Sequence, residues 1–299
     1  MKILITGAQG QLGSELCSQL ARRGSVIGSI SPDLIGADVY PVDLQDFDVS
    51  NLVSARAYIA KVLPDIIIHC AAHTNVDGCE SDPDTAMRVN ALGARNMAIL
   101  AYEMQAKLVY VSTDYVFAGD AGNPYSEGDT CAPATEYGKS KLLGEEYVQH
   151  FCPQHFVVRT SWLYGLRGGN FVKTILRVAK EQGSVRVVND QWGNPTNAED
   201  LAHHILQLVA TEEYGVYHVT GQGICSWYDF ACEFIRLSGL ECSIFPCTTA
   251  EYPRPAPRPA YSALEHRMLR ITIGDNMRSW QHAIGDFMKH YDKESGLIV

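Results

Sequence analysis

Short apolar runs alternate with helical patterns through the first half of the chain. The apolar runs lie at residues 2–6, 26–30, 65–71, 107–113 and 155–161, and the helical patterns at 12–23, 50–62, 83–104 and 136–150. Continuous apolar runs of this length are typical of strands that are buried on both faces of a parallel sheet. The alternation therefore predicts an α/β fold, a Rossmann-type doubly wound parallel sheet with right-handed crossovers.

The pattern changes after about residue 165, where helices dominate. Helices are predicted at 170–182, 198–211, 226–238 and 276–292, and short strands at 185–188, 215–219 and 242–246; a proline-rich segment, YPRPAPRPAYS, occupies 252–262. We predict a Rossmann domain at residues 1–165, with a partial return at about 196–220. A smaller C-terminal lobe is predicted at 166–299, interleaved with that domain.

A glycine-rich loop follows the first apolar run. The segment GAQGQLG places glycines at 7, 10 and 13, directly before a helical pattern. In a dinucleotide-binding turn, the first glycine permits the turn, the second lets the backbone approach a pyrophosphate and the third lets the helix pack closely. A tight turn between a strand and a helix, without any ligand, would explain two of the three glycines. Because the motif ends the first strand, we favour the cofactor site and include Gln11 and Leu12 in it.

The second strand of an NAD-binding domain often ends in an acid that binds the adenosine ribose. After the run at 26–30 comes Ser31, with Asp33 nearby but no acid at the predicted strand end. A missing carboxylate removes a group that would repel a 2′-phosphate, which favours NADPH over NADH. Arg22 and Arg23 also lie near, either as phosphate partners or as ordinary residues at a helix end.

Two further segments are predicted to line the cofactor cleft. In DFDVS, Asp48 is expected to accept a hydrogen bond from the adenine amino group, with Val49 beside it. In CAAHTN, the small residues Ala71 and Ala72 would leave room for the cofactor, and Thr74 follows them. Plain packing of a helix on the sheet would explain the two alanines equally well.

Three candidate catalytic residues converge on the same edge of the predicted sheet. Thr113 ends a strand, and Tyr137 and Lys141 lie four residues apart, on one face of the following helix. Ligands of parallel α/β sheets collect at the carboxyl ends of the strands. The alternative is an ordinary helix surface that carries an aromatic residue and a solvated lysine.

This combination predicts the reduction of a carbonyl group. A tyrosine has an ordinary pKa of about 10, and a neighbouring ammonium would lower that pKa. Tyr137 could then give a proton to the forming alkoxide, while Thr113 polarises the carbonyl and Lys141 also binds the nicotinamide ribose. The hydride must come from the cofactor.

Composition excludes several other classes of protein. The 299 residues carry 24 basic and 34 acidic side chains, a net charge of −10, which argues against a nucleic-acid partner. The nine cysteines form no C-x-x-C pair, as in a reduced, metal-free protein. With no signal-peptide pattern and no long apolar run, we expect a cytoplasmic protein without a membrane partner.

The motifs together resemble the extended short-chain dehydrogenases/reductases, and within them the dTDP-4-dehydrorhamnose reductases. The matching segments are GAQGQLG, AAHTNVDGCESDP (71–83), VNALGARN (89–96), STDYVFAG (112–119), YGKSKLLGE (137–145), RTSWLYG (159–165), NDQWGNPT (189–196) and RPAYSAL (258–264). The likeness covers nearly the whole chain, and the combination is far more specific than any one motif.

The resemblance implies reduction of the 4-keto group of dTDP-4-dehydro-6-deoxy-L-mannose to dTDP-L-rhamnose, by NADPH with NADH as the alternative. Thr113, Tyr137 and Lys141 match the catalytic set of the family. Trp162 matches a position that lines the sugar pocket, and Asp114 and Arg258 fall at positions expected to contact the sugar-nucleotide; the smaller lobe is expected to bind the substrate. Without the resemblance, Trp162 would be assigned to the core, and Arg258 to a solvated polyproline surface.

Proteins of related function differ from this chain at single positions, in their substrate or in the protein that they bind. The nucleotide-sugar dehydratases have an acid where this chain has Tyr115, and the 4-epimerases carry a serine-rich strand end. A reductase of another 4-keto deoxy nucleotide-sugar stays open, as does a non-catalytic regulatory subunit of the methionine adenosyltransferase type. The family often binds a divalent ion between glutamates at a dimer interface. Because no matching glutamate cluster is recognisable and Glu294 is isolated, we predict no metal. A homodimer is still predicted from the resemblance.

Overall fold

The computed structural model describes residues 1–295, without the side chains of 292–295. The strands are β1 (Lys2–Thr6), β2 (Asp38–Val42), β3 (Ile66–His69), β4 (Lys107–Thr113), β5 (His155–Thr160), β6 (Leu163–Tyr164), β7 (Ser184–Val188), β8 (Trp192–Gly193), β9 (Thr196–Asn197), β10 (Gly215–His218), β11 (Cys225–Ser226) and β12 (Ser243–Cys247). The tail at 296–299 lies outside the described residues.

Most helices begin and end within a few residues of their predicted bounds, but the helix predicted at 83–104 is divided into three segments, and α3 and α10 were not predicted. They are α1 (Gln11–Arg22), α2 (Leu52–Val62), α3 (Val76–Ser81), α4 (Pro83–Ala86), α5 (Gly93–Met104), α6 (Glu136–Phe151), α7 (Phe171–Gln182), α8 (Ala198–Val209), α9 (Trp227–Ser238), α10 (Arg267–Thr272) and α11 (Trp280–Ser295). A π-helical turn, Met87–Leu92, joins α4 to α5, and short 3₁₀ turns lie at Pro32–Leu34, Asp114–Val116 and Thr249–Glu251.

Six parallel strands form the central sheet in the order β10-β5-β4-β3-β1-β2. Alternate side chains of β1 lie on opposite faces of the sheet. Ile3 and Ile5 pack with α1 and α8, and Leu4 packs with α2 and α5. The predicted Rossmann-type fold with a parallel sheet is therefore confirmed.

The second strand is not where the sequence pattern placed it. Residues 26–30 form no strand apart from an isolated bridge between Gly24 and Ser29, and Val26 is 50% exposed. The strand that pairs with β1 is β2, at the edge of the sheet, where Pro41 is tolerated because one side of the strand needs no hydrogen bonds.

A separate apolar cluster forms the C-terminal lobe, where α7, α9 and α11 pack around β7. Helix α8 and strand β10 belong to the central sheet and its covering layer, although they lie later in the chain. The division at residue 165 stays a prediction. Within the described residues, no helix is both long and apolar enough to cross a membrane.

Candidate active site

The glycine loop brings β1, α1 and the end of β3 into close contact. Gly7 has φ +66°, and a Cβ there would lie 2.8 Å from the backbone nitrogen of Ala71. A Cβ on Gly13 would lie 2.3 Å from the Gly7 carbonyl oxygen. Side chains are therefore excluded from both positions, and the N-terminus of α1 is left open toward the cleft beside it.

One large cleft of about 860 Å³ lies over the carboxyl ends of the strands. The predicted residues that line it are Gly7, Gly10, Gln11, Leu12, Gly13, Asp48, Val49, Ala71, Ala72, Thr74, Thr113, Asp114, Tyr137, Lys141 and Trp162. A helix N-terminus without side chains at its mouth suits a pyrophosphate. The residues present fit a bound dinucleotide, although the individual contacts stay predictions.

Helix α6 carries Tyr137 and Lys141 into this cleft. Its first turn is capped by the Thr135 side chain, which accepts a hydrogen bond from the Gly138 N–H at 3.0 Å. A Cβ on Gly138 would lie only 2.2 Å from the Tyr115 carbonyl oxygen. The small residue between Tyr137 and Lys141 thus lets α6 pack against the turn that follows Thr113.

The Tyr137 phenol is held in its neutral form. Its side chain lines the cleft and is 9% exposed, with the Tyr115 ring packed edge-on at 5.6 Å. Burial raises the pKa of Tyr137 above its ordinary value, and hydrogen bonding with Thr113 only partly opposes this. The expected net lowering of the pKa of this phenol is therefore wrong, because burial outweighs the influences that lower it. A neutral phenol is the form that a proton donor requires.

Lys141 is a buried cation with partners of its own. It is 2% exposed, its Nζ donates to the Val111 carbonyl oxygen at 2.7 Å, and the same atom lies 4.1 Å above the Tyr110 ring. Burial lowers the pKa of Lys141 to about 7, although Glu145, one turn further along α6, acts to raise it. The ammonium therefore sits close to its titration point at neutral pH.

A buried ion pair lies behind the lysine. Glu145 accepts hydrogen bonds from the Arg159 guanidinium, at 2.7 Å for the shortest, and from the Ser112 hydroxyl at 2.5 Å. Both members are almost fully buried, so breaking the pair from one side would leave an uncompensated charge. The pair connects α6 to the ends of β4 and β5, next to Thr113.

Asn90, in the π-helical turn, fixes the segment that contains Ala71 and Thr74. Its amide accepts from the His73 N–H at 2.7 Å, and donates to the His73 carbonyl at 3.0 Å and the Ser140 hydroxyl at 2.9 Å. The wall of the cleft is thereby tied to α6. Nothing in the sequence singles out Asn90, because its partners are distant in the chain.

An acid does stand at the end of the second strand. Asp43 directly follows β2, lines the cleft and accepts a hydrogen bond from the Gln9 N–H of the glycine loop at 3.0 Å. The statement that no carboxylate occupies this place is wrong, because it relied on the misplaced strand. Arg22 is paired with Glu15 and Glu199 and does not line the cleft.

Two stacked tryptophans form the wall toward the C-terminal lobe. Trp162 lies parallel to Trp227 with ring centroids 3.6 Å apart, and both line the cleft. The backbone of Trp162 has φ +48°, which costs a bulky residue about 1–3 kcal/mol and persists only where packing enforces it. Trp227 was missed, because nothing in its segment distinguishes it from a core residue.

Arg258 is paired within the chain, close enough to Tyr115 in the cleft wall to affect the pKa of that phenol. Its guanidinium donates to Asp77 at 2.9 Å and to the Ala256 carbonyl at 3.2 Å, and it is not among the described residues that line the cleft. The pair ties the proline-rich segment to α3. A contact between Arg258 and a sugar-nucleotide stays a prediction. No cluster of metal-binding side chains occurs in the described part of the chain.

Known proteins resemble this chain over nearly its whole length. Residues 1–293 match the family described as the RmlD substrate binding domain. The spore coat polysaccharide biosynthesis protein SpsK of Bacillus subtilis is 40% identical, over 96% of this chain and 97% of the relative. The dTDP-4-dehydrorhamnose reductase of Escherichia coli is 38% identical, over 94% and 95%.

A solved structure agrees over the same length. The crystal structure of dTDP-4-dehydrorhamnose reductase from Bacillus anthracis in complex with NADP superposes with a TM-score of 0.90. It is 41% identical in sequence, and the match covers 97% of this chain and 99% of that one.

Proposed function

The chain belongs to the RmlD substrate-binding-domain family, and from this premise we propose that it reduces the 4-keto group of dTDP-4-dehydrorhamnose to give dTDP-L-rhamnose. The cofactor is NADPH, with NADH as the alternative. The observation that carries the proposal is the convergence of Thr113, Tyr137 and Lys141 on the cleft that the glycine loop borders.

Each of the three side chains has a distinct task in the reaction. The bound cofactor supplies the hydride. Tyr137, neutral and at the cleft wall, donates its proton to the ketone oxygen as negative charge develops there. The Thr113 hydroxyl polarises the same carbonyl, and the buried Lys141 ammonium provides positive charge beside the nicotinamide ribose.

The walls of the cleft would orient the substrate. Trp162 and Trp227 offer a flat apolar surface that suits a sugar ring or a base, and Asp114 adds a buried acceptor. The 39% identity to a probable dTDP-4,6-dihydroxy-2-methyloxan-3-one 4-ketoreductase of Streptomyces antibioticus favours a second candidate: reduction of another 4-keto deoxy nucleotide-sugar at the same site.

The test is to offer the protein a panel of 4-keto nucleotide-sugars with NADPH or NADH. We expect loss of the reduced-cofactor absorbance with dTDP-4-dehydrorhamnose, and a rhamnose product identified by NMR. dTDP-glucose, which has no ketone, is the matched negative control. Dinucleotide binding without consumption of any ketone would contradict the proposal and favour a regulatory subunit.

Changing Asp43 to Asn is expected to shift the cofactor preference toward NADPH. The ratio of kcat/KM for NADPH to that for NADH should rise about tenfold, because like charges near 4 Å apart cost roughly 1–4 kcal/mol at a protein surface. Asp33→Asn is the control, since Asp33 lies outside the cleft lining. An equal ratio in the wild type and Asp43→Asn would show that this carboxylate does not face the ribose.

A further inference from the structure

The hydrogen bonds of Thr113 limit what its hydroxyl can do. The hydroxyl donates its single proton to Oδ1 of Asp114 at 2.9 Å, and its oxygen accepts the Tyr115 N–H at 3.2 Å. A hydroxyl has one proton and two acceptor sites. While Asp114 is ionised, Thr113 therefore has no proton to offer a ketone.

Asp114 lies where ionisation is costly. It is 2% exposed and lines the cleft. The Ser262 hydroxyl, from the proline-rich segment, is also buried and interacts with this carboxyl. Within the described residues, neither Asp114 Oδ2 nor the Ser262 hydroxyl has any other partner. Burial raises the pKa of Asp114 to about 6, against the lowering effects of Ser262 and Thr113. The carboxyl is thus poised between its two forms.

Four donors favour the ionised form of this carboxyl, namely the Ser262 and Thr113 hydroxyls and the backbone N–H groups of Asp114 and Tyr115, but burial outweighs them. Tyr137 from α6 and Tyr115 from the 3₁₀ turn after β4 face this carboxyl as neutral phenols, because burial raises the pKa of each. Asp77 and Arg258 lie beyond Tyr115, where each affects the pKa of that phenol. Within the described part of the chain, no cation bonds directly to Asp114.

We propose that Asp114 is the positioning residue that directs the Thr113 proton, and that ketone reduction proceeds with the Asp114 carboxyl protonated. The inference rests on the proposed function and deepens it. A protonated Oδ1 donates to Thr113, whose own proton then turns toward the ketone oxygen. Oδ2 becomes a neutral acceptor for Ser262. Only hydrogen-bond directions reverse, so the proton and the hydride that the reaction consumes still come from Tyr137 and the cofactor.

The reversal also fixes what the Thr113 hydroxyl can bind. Once Thr113 accepts from both Tyr115 and Asp114, its acceptor sites are filled, and only its proton is left for a ligand. The Tyr137 phenol lines the same cleft, so a ketone oxygen there meets two donors, the arrangement that stabilises a developing oxyanion.

The pH profile of Asp114→Asn tests the proposal, because an amide donates to Thr113 at every pH. Wild-type log kcat should fall with a limiting slope of about −2 above neutrality, as Asp114 and Lys141 each lose a proton. In Asp114→Asn only the Lys141 proton is lost, so the limiting slope should be about −1. The kcat of the variant relative to that of the wild type should therefore rise about tenfold per pH unit. Its dinucleotide affinity should not change. In a Thr113→Val background, the Asp114→Asn change should no longer alter the slope.

Infrared difference spectroscopy supplies a readout without turnover. The protonated carboxyl band of the dinucleotide-bound wild type should be absent from Asp114→Asn, and thermal unfolding confirms that the variant folds. The proposal is overturned if that band is missing in the wild type, if both slopes are equal, or if Asp114→Asn loses turnover more than about hundredfold at every pH. A wild type that shows the band but reduces no ketone would contradict the proposed function instead.

Discussion

Tyr137→Phe is expected to lower kcat by roughly 10²–10⁴-fold, the usual contribution of a positioned proton donor. Phenylalanine keeps the ring that packs against Tyr115 and removes only the oxygen that faces the cleft. Dinucleotide affinity, measured by fluorescence titration, should stay nearly unchanged. Turnover should be followed by the absorbance of the reduced cofactor.

Tyr115→Phe is the matched control, because Tyr115 is a second phenol, partly buried, that lines the same cleft. It should retain most of the wild-type turnover. Close to full activity in Tyr137→Phe, or an equally large loss in Tyr115→Phe, would show that the proton comes from elsewhere.

Lys141→Met is expected to damage both turnover and dinucleotide binding, by about 10²-fold or more in kcat. Methionine fills similar space above the Tyr110 ring but lacks the charge and the hydrogen bond to Val111. The cation is present below its pKa of about 7 and is lost as the pH rises. Wild-type kcat should therefore fall in alkaline buffer, and Lys141→Met should lack that part of the pH dependence.

Lys139→Met provides the control two residues earlier on α6. Lys139 is 49% exposed and pairs with Glu136 on the surface of the helix, away from the cleft lining. Its replacement should leave kcat, dinucleotide affinity and the pH profile unchanged. The role of Lys141 would be contradicted if both variants behaved alike, or if Lys141→Met bound the dinucleotide normally.

The proximity of the three proposed catalytic residues was predictable because the fold itself brings them together. Thr113 ends a strand with a strong apolar signal, and Tyr137 and Lys141 lie one turn apart on the next helix. Parallel strands end at one edge of a sheet, so recognising the alternation was enough to place them near the glycine loop. Their electrostatics were not predictable, since the neutral state of Tyr137 results from burial among residues distant in the chain.

The sequence by itself determined the parallel sheet, the glycine loop and the catalytic helix, because buried apolar runs and tightly packed glycines leave local patterns. Only the tertiary structure decided that β2, with Asp43 at its end, is the second strand. That strand is a half-exposed edge with one pairing neighbour, so its apolar signal is no stronger than that of residues 26–30. Pairing with β1 separates the two candidates, and such long-range contacts leave no local pattern. The approach of Ser262 to Asp114 depends on them equally.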